Sequence, residues 1–182
     1  MNRKTLALSL LCTFLAAGLH GRPGGDTVPV IEMGVGGRAL ALGGAYTALA
    51  DDATAIVFNP AGLYAVDGDE LTLSWNAMGG FFWNMGFAGY AHRFGEILTM
   101  GIGTKFLLSG AQESWDSISE FNSFDENQYM LLLSASLDLP LALKLGASFK
   151  FAWRDFSWNS SSGDQARSKT FANADLGVIL PV

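Results

Sequence analysis

Lys105, Lys144, Lys150 and Arg154 are the side chains whose type and spacing most invite a chemical reading. Each belongs to a segment that alternates apolar and polar residues, and alternation puts all four on the same inward face. Four cations so placed form a basic strip that attracts carboxylates, unless inward acids or an N-terminal segment take up their charge. Arg38, Asn173 and Asp175 join them as candidate lining residues, and Arg38 is the natural partner for Asp51 or Asp175. Catalysis has little support. His20 and His92 are the two histidines, and no Ser–His–Asp arrangement, zinc-ligand spacing or paired carboxylate can be argued from position. Glu113, Asp116, Glu120, Asp125 and Glu126 follow one another without a positive charge and without calcium-loop spacing, so a solvated surface loop is expected there. No cofactor and no metal are expected.

A second cluster of special residues lies earlier. Gly34, Gly36 and Ala39 satisfy the loose dinucleotide pattern, with Asp51 and Asp52 at a tempting distance. That fingerprint needs a strand, a helix start and a parallel βαβ return. Gly43 and Gly44 would weaken the helix and a meander of strands follows, so the match is set aside. Residues 51–63 read instead as a short capped helix. Asp51 or Asp52 can accept from the orphan amides of its first turn, and Asn59 before Pro60 is biased away from helical angles and should stop it. Pro60 can start a second short turn, with Ala61 inside it and Gly62 releasing it.

These residues need elements to position them, and the spacing of apolar residues supplies those. From Leu71 onward the period is two and no helical period competes. Leu71, Leu73 and Trp75 alternate with Thr72, Ser74 and Asn76. Trp83, Met85, Phe87, Gly89 and Ala91 face one way, and Asn84, Gly86, Ala88, Tyr90 and His92 the other. Leu98 to Phe106, Tyr129 to Asp138, Leu143 to Arg154 and Ala172 to Leu180 complete six strands, with Met130 and Leu132 blurring the alternation of the fourth. Most run to about 10 residues, the length of a tilted membrane strand rather than the usual 5 or 6. The links Arg93–Glu96 and Leu139–Leu141 are short, whereas Ser109–Asn127 and Asp155–Lys169 read as long polar loops; Ala77–Gly80 is a short link on the long-loop side. Short turns on one side and long loops on the other are the asymmetry of outer-membrane barrels. Trp75, Trp83, Tyr129 and Trp153 stand near strand ends, placed for an outer aromatic girdle. A soluble sandwich or lipocalin-like barrel also alternates, but its wet face is usually rich in Lys, Glu and Thr, and here that face is mostly Gly, Ala and Ser.

The amino terminus is an address. Arg3 and Lys4 precede the apolar run Leu6–Leu15, and Ala16, Ala17 and Gly18 follow, as in a secretory signal peptide cleaved after Gly18. Residues 1–18 are thus the signal, 19–32 a flexible lead-in, 33–66 a Gly/Ala-rich segment and 71–182 the strands. Cleavage removes Cys12, the single cysteine, and leaves an acidic exported chain without thiol chemistry. Over all 182 residues, 49% are hydrophobic and only 15% charged, against about 25% in soluble domains. Yet no run reaches the roughly 18–20 apolar residues of a spanning helix. With 11 Lys and Arg against 17 Asp and Glu and no basic cluster, nucleic acid is not an expected partner.

The stretch Gly36–Leu63 resembles the N-terminal signature of the FadL/PorV-like outer-membrane proteins, most closely at Gly43-Gly44-Ala45, Ala50-Asp51-Asp52-Ala53 and Asn59-Pro60-Ala61-Gly62-Leu63. The resemblance implies a transmembrane, antiparallel, up-and-down β-barrel in the cell outer membrane, all-β apart from a short N-terminal helical hatch folded inside. It implies passage of hydrophobic small molecules of fatty-acid kind through a hatch-gated barrel, or, in the PorV branch, a non-transporting barrel that serves as secretion partner or surface scaffold. The expected partners are outer-membrane lipid, a hydrophobic small molecule and a secretion-machinery protein. The family barrel has 14 strands, so six form only part of one. The ending Leu180-Pro181-Val182 falls at an expected periplasmic turn, which favours a fragment to be continued by about 8 more strands over assembly from several copies.

Overall fold

Alternation along a strand makes a sheet whose two faces differ, and the protein builds one such sheet with a small-residue segment laid against it. The computed structural model describes residues 29–78, 83–117, 120–140, 143–160 and 165–180. The expected signal, residues 1–18, lies outside them. Six antiparallel strands follow one another in chain order: β1 Asp69–Met78, β2 Trp83–Phe94, β3 Leu98–Ser117, β4 Glu120–Asp138, β5 Lys144–Ser160 and β6 Gln165–Ile179. The all-β, up-and-down meander expected from the period-two pattern is what forms. β1 and β6 are its two edges. No helix among the described residues is long and apolar enough to cross a membrane.

Several boundaries differ from expectation. The stretch expected as a long loop at 109–127 is strand on both sides of residues 118 and 119, with Gln112 opposite Phe124 and Trp115 opposite Phe121 beyond a register shift. The ladder continues in the same way from Asp155 to Ser160, with Trp158 opposite Gln165. Backbone hydrogen bonds of the ladder extend through residues of mixed polarity, which is why apolar alternation does not mark them. Residues 29–32, expected as flexible lead-in, form one helical turn, α1 (Pro29–Glu32), whose Val30 is buried. Lead-in residues 19–28 and link residues 79–80 and 141 lie outside the described residues.

The segment from Pro29 to Val66 packs on one face of the sheet through α1, α2 (Gly37–Ala41), α3 (Ala55–Phe58) and a 3₁₀ turn at Pro60–Ala65. Its Val30, Val35, Tyr46, Ile56 and Leu63 are fully buried against Met85, Phe87, Leu107, Met130 and Leu132 of the sheet. Met130 and Leu132, which blur the alternation of β4, are apolar on this side because they meet the segment. In β2 the more apolar set, Met85, Phe87 and Ala91, also lies on the covered face. The other face is bare. Leu71, Leu73 and Trp75 are 65%, 70% and 61% exposed, and Ile102, Leu133, Phe149 and Leu176 stand beside them.

Pairing register orders the bare face into rows. Trp75, Gly86, Phe106, Tyr129, Trp153 and Thr170 lie directly opposite one another across all six strands. Phe106 lies over Gly86 and meets Trp75 edge-on at 5.4 Å, and Tyr129 stacks on Trp153 at 5.4 Å. The next row toward the hairpin tips is mostly polar: Ala77, Asn84, Leu108, Asn127, Asp155 and Ser168. The rows on the other side are apolar down to Phe94, Leu98, Leu137, Leu145 and Val178, interrupted by Thr104 in β3 and by Asp69 and His92 at the β1 edge. Trp83, expected in the girdle, is not in this row: it faces the segment, opposite the buried Ser109. A Trp beside a turn satisfies a girdle pattern on either face, and only the register assigns it.

Candidate functional site

The chemistry-bearing residues gather where the segment meets the covered face. Asn59 takes extended angles (φ −157°, ψ 101°), ending α3 as the following proline requires. Its carboxamide oxygen accepts from the Ala61 amide at 3.2 Å, and its nitrogen donates to the Thr47 carbonyl at 3.0 Å. Pro60 opens the 3₁₀ turn, but Gly62 does not release it: the turn runs to Ala65. Gly62 serves close approach instead, since a Cβ there would lie 1.9 Å from the Ala50 carbonyl oxygen. Gly43 and Gly44 hold positive φ (62° and 83°) in the turn after α2, which L side chains rarely adopt.

Across the seam, glycines and serines of the sheet receive this backbone. A Cβ on Gly146 would lie 2.1 Å from the Ala61 nitrogen, and one on Gly177 2.1 Å from the Asn59 side-chain oxygen. Ser136 donates to the Ala61 carbonyl at 3.0 Å and Ser148 to the Ile56 carbonyl at 3.4 Å. Lys105 is fully buried and donates to the Met33 carbonyl. Lys150 donates to the Val57 carbonyl at 3.3 Å and pairs with Asp175. Lys144 pairs with Asp138, which also receives Arg93 at 3.6 Å, while the Lys144 ammonium sits 4.9 Å from the Tyr64 ring centroid. Arg154 grips Glu126 with Nε at 2.7 Å and a second nitrogen at 3.0 Å. All four expected cations share the covered face, and each is engaged by the segment or by a carboxylate. Asn173 is not brought in: it is exposed and accepts from the Ala174 amide next to it.

Arg38 pairs with Asp51 rather than Asp175, through two contacts of which the longer is 3.3 Å, and lies 5.3 Å over the Tyr46 ring. Both partners are half exposed. Neither aspartate caps the helix as expected: it begins at Ala55 with Thr54 as N-cap and no side-chain cap bond, while Asp52 accepts from the Thr54 amide at 2.9 Å and Glu70 from that of Ala53 at 3.0 Å. The hydrogen bond from Arg38, then its charge, holds the Asp51 carboxyl below the usual carboxylate range. A depressed carboxylate stabilises the fold above its unfolded value, near 3.9, and loses that contribution as pH falls through its folded value. Thermal unfolding of wild type and Asp51→Asn should therefore differ slightly at pH 7, and the difference should close below pH about 4. A gap that widens in acid would refute the pairing.

Gln128, Glu126, Arg93 and Asp138 were not among the expected site residues. Gln128 accepts from the Val30 amide at 2.9 Å and donates to Glu126, linking α1 to the Arg154 pair. Arg93 donates to the Tyr64 carbonyl and, at 2.8 Å, to that of Glu96. Glu126 and Gln128 continue the every-second-residue series that includes Met130, which is the signal that could have found them. What this arrangement does is hold a polypeptide segment against a wall, chiefly through backbone carbonyls. No family model, curated protein or solved structure matches the chain.

Proposed function

We propose that the sheet is the wall, and the segment the hatch, of an outer-membrane β-barrel of FadL/PorV-like kind through which hydrophobic small molecules such as fatty acids pass. The observation that carries this reading is the order of rows on the bare face. Monomeric soluble proteins rarely expose apolar patches above a few hundred Å², whereas this face is apolar through many rows, bordered by aromatics and polar beyond them. From Tyr129 to Leu137 the band runs about 26 Å along the strands. An inclination of 35–45° shortens it to about 20 Å, somewhat less than the usual 25 Å band. Backbone groups on the outer edges of β1 and β6 need partners in hydrocarbon, which further barrel strands supply in this reading. A ligand leaves the outer side and moves past the hatch, whose exposed Leu40, Leu42 and Leu49 offer it an apolar surface. No covalent step is involved.

The alternative, a non-transporting barrel acting as secretion partner or scaffold, is favoured by one specific observation. The hatch is seated backbone-to-backbone at Gly146 and held by Lys105, Lys150 and Ser136, so it moves only by breaking many contacts together. Uptake of labelled fatty acid in a deletion strain separates the two readings. Transport predicts uptake that falls several-fold and returns on complementation; unchanged uptake leaves the scaffold. The membrane reading itself predicts recovery from outer membranes only with detergent, and gel mobility that shifts on boiling. Recovery as a soluble periplasmic protein would end it.

A further inference from the structure

The same face of the sheet carries a second feature beyond the segment. Past Ala152, β5 and β6 form a cleft of about 390 Å³ lined by Arg154, Phe156, Trp158, Gln165, Arg167 and Lys169. The six residues are three directly opposed pairs: Arg154 with Lys169, Phe156 with Arg167, and Trp158 with Gln165. One strand thus offers two aromatic rings and the other two cations, at the roughly 5 Å spacing of cross-strand neighbours. The rings are differently placed. Phe156 stacks on Phe124 at 6.3 Å and lies beneath the Arg154 guanidinium at 6.0 Å, while Trp158 is 46% exposed.

Of the three cations that line the cleft, Arg154 and Lys169 are engaged, and Arg167, among the described residues, is not. Arg154 is taken by Glu126. Arg167 has no ion pair or hydrogen bond among the described residues. The nearby Asp155 accepts from Ser168 at 2.6 Å, and both belong to the opposite face. The cleft therefore holds a guanidinium fork beside an available indole face. A guanidinium matches a planar oxyanion in two-pronged fashion, and an indole face takes a flat ring by offset stacking. From Arg154 to Trp158 the floor is about 13 Å long, and the volume is at the small end of ligand sites, which run from about 300 to 1,000 Å³. That accommodates one or two fused rings but not an extended long-chain acid.

We propose that this cleft binds a compact aromatic anion, an arene carboxylate or sulfonate, with its ring on Trp158 and its oxyanion on Arg167. The site belongs to the sheet itself and does not depend on the membrane reading.

Calorimetric titration of the detergent-purified full chain with 2-naphthoate tests it, with 2-naphthylmethanol as the neutral analogue and octanoate as the aliphatic one. The naphthoate should bind at least tenfold more tightly than either. Arg167→Gln should weaken naphthoate about tenfold while leaving the weak binding of the neutral analogue unchanged, since one charge-assisted contact is worth about that much. Trp158→Ala should weaken both aromatic ligands. Arg167 is exposed, so its variant should keep the wild-type circular dichroism and mobility on gels. Equal affinity for octanoate, or naphthoate binding indifferent to both substitutions, overturns the site. Neither result bears on fatty-acid uptake or heat-modifiable mobility, so the two proposals fail separately.

Discussion

Gly62→Ala and Gly146→Ala should be the most damaging single-methyl additions in the protein. The methyl at 62 would stand 1.9 Å from a carbonyl oxygen, and that at 146 would stand 2.1 and 2.3 Å from backbone atoms of Ala61 and Pro60. Both obstacles are backbone, so neither can swing aside. Overpacking usually costs about 1–3 kcal/mol, and relief here requires moving a 3₁₀ turn hydrogen-bonded to β2 and β4 through Arg93 and Ser136, which places both at about the top of that range. Reduced freedom of the unfolded chain returns only about 0.4–1 kcal/mol. Gly86→Ala is the control: its obstacle is the tip of the Phe106 ring, a side chain on the bare face, and its cost should stay within about 1 kcal/mol. The two damaging variants should also differ in kind. Gly62→Ala distorts the segment internally, against Ala50, whereas Gly146→Ala lifts the segment from the sheet. Limited proteolysis of the folded protein should then cut residues 29–66 much faster in Gly146→Ala while the strands stay protected. A wild-type unfolding midpoint in either variant would show that the segment does not sit where Gly146 and Gly62 place it.

How far these contacts can be read from sequence depends on what signals them. Leu98–Phe106 is legible as a strand because one side is bare and apolar while the other, Gly101 and Gly103, lies close under Ile56. Two environments produce a period of two. Beyond Ser109 that contrast fades, and the ladder through Gln112 and Trp115 leaves no trace in the apolar pattern. Alternation also says that two faces differ without saying which is covered, and this is why Trp83 is misplaced by sequence and assigned by register. The Arg38–Asp51 pair is legible because both members are charged side chains close in sequence. The acceptors of Lys105 and Lys150 are not, because the carbonyls of Met33 and Val57 belong to every residue type and carry no sequence mark. Gly62 shows the same limit from the other side: a glycine needed for a turn and one needed for contact are the same letter.

Those two lysines look equivalent in sequence and should respond oppositely to the same substitution. Lys150 is 7% exposed and neutralised by Asp175, itself 33% exposed. Lys150→Met leaves that carboxylate partly buried without a counter-charge. Removing one member of a fully buried pair costs about 3–5 kcal/mol. Access of water to Asp175 reduces this, and about 1–3 kcal/mol is expected. Adding Asp175→Asn to Lys150→Met should recover much of the loss, because the stranded charge is its source. Lys105 has no exposure and a carbonyl as acceptor, without a carboxylate contact among the described residues. Its desolvation, several kcal/mol for a buried ion, is offset by one charge-assisted hydrogen bond of about 1.5–3 kcal/mol. Lys105→Met keeps the packing volume and removes the ion, so the sheet should be as stable as wild type or more so, while α1 loses its tether at Met33. The expected pattern in denaturant unfolding is a lowered midpoint for Lys150→Met and an unchanged or raised one for Lys105→Met. Proteolysis near residue 33 should rise in the latter alone. Equal destabilisation by both would mean that Lys105 is compensated by an anion, and the account of its burial as an uncompensated cation would have to be abandoned.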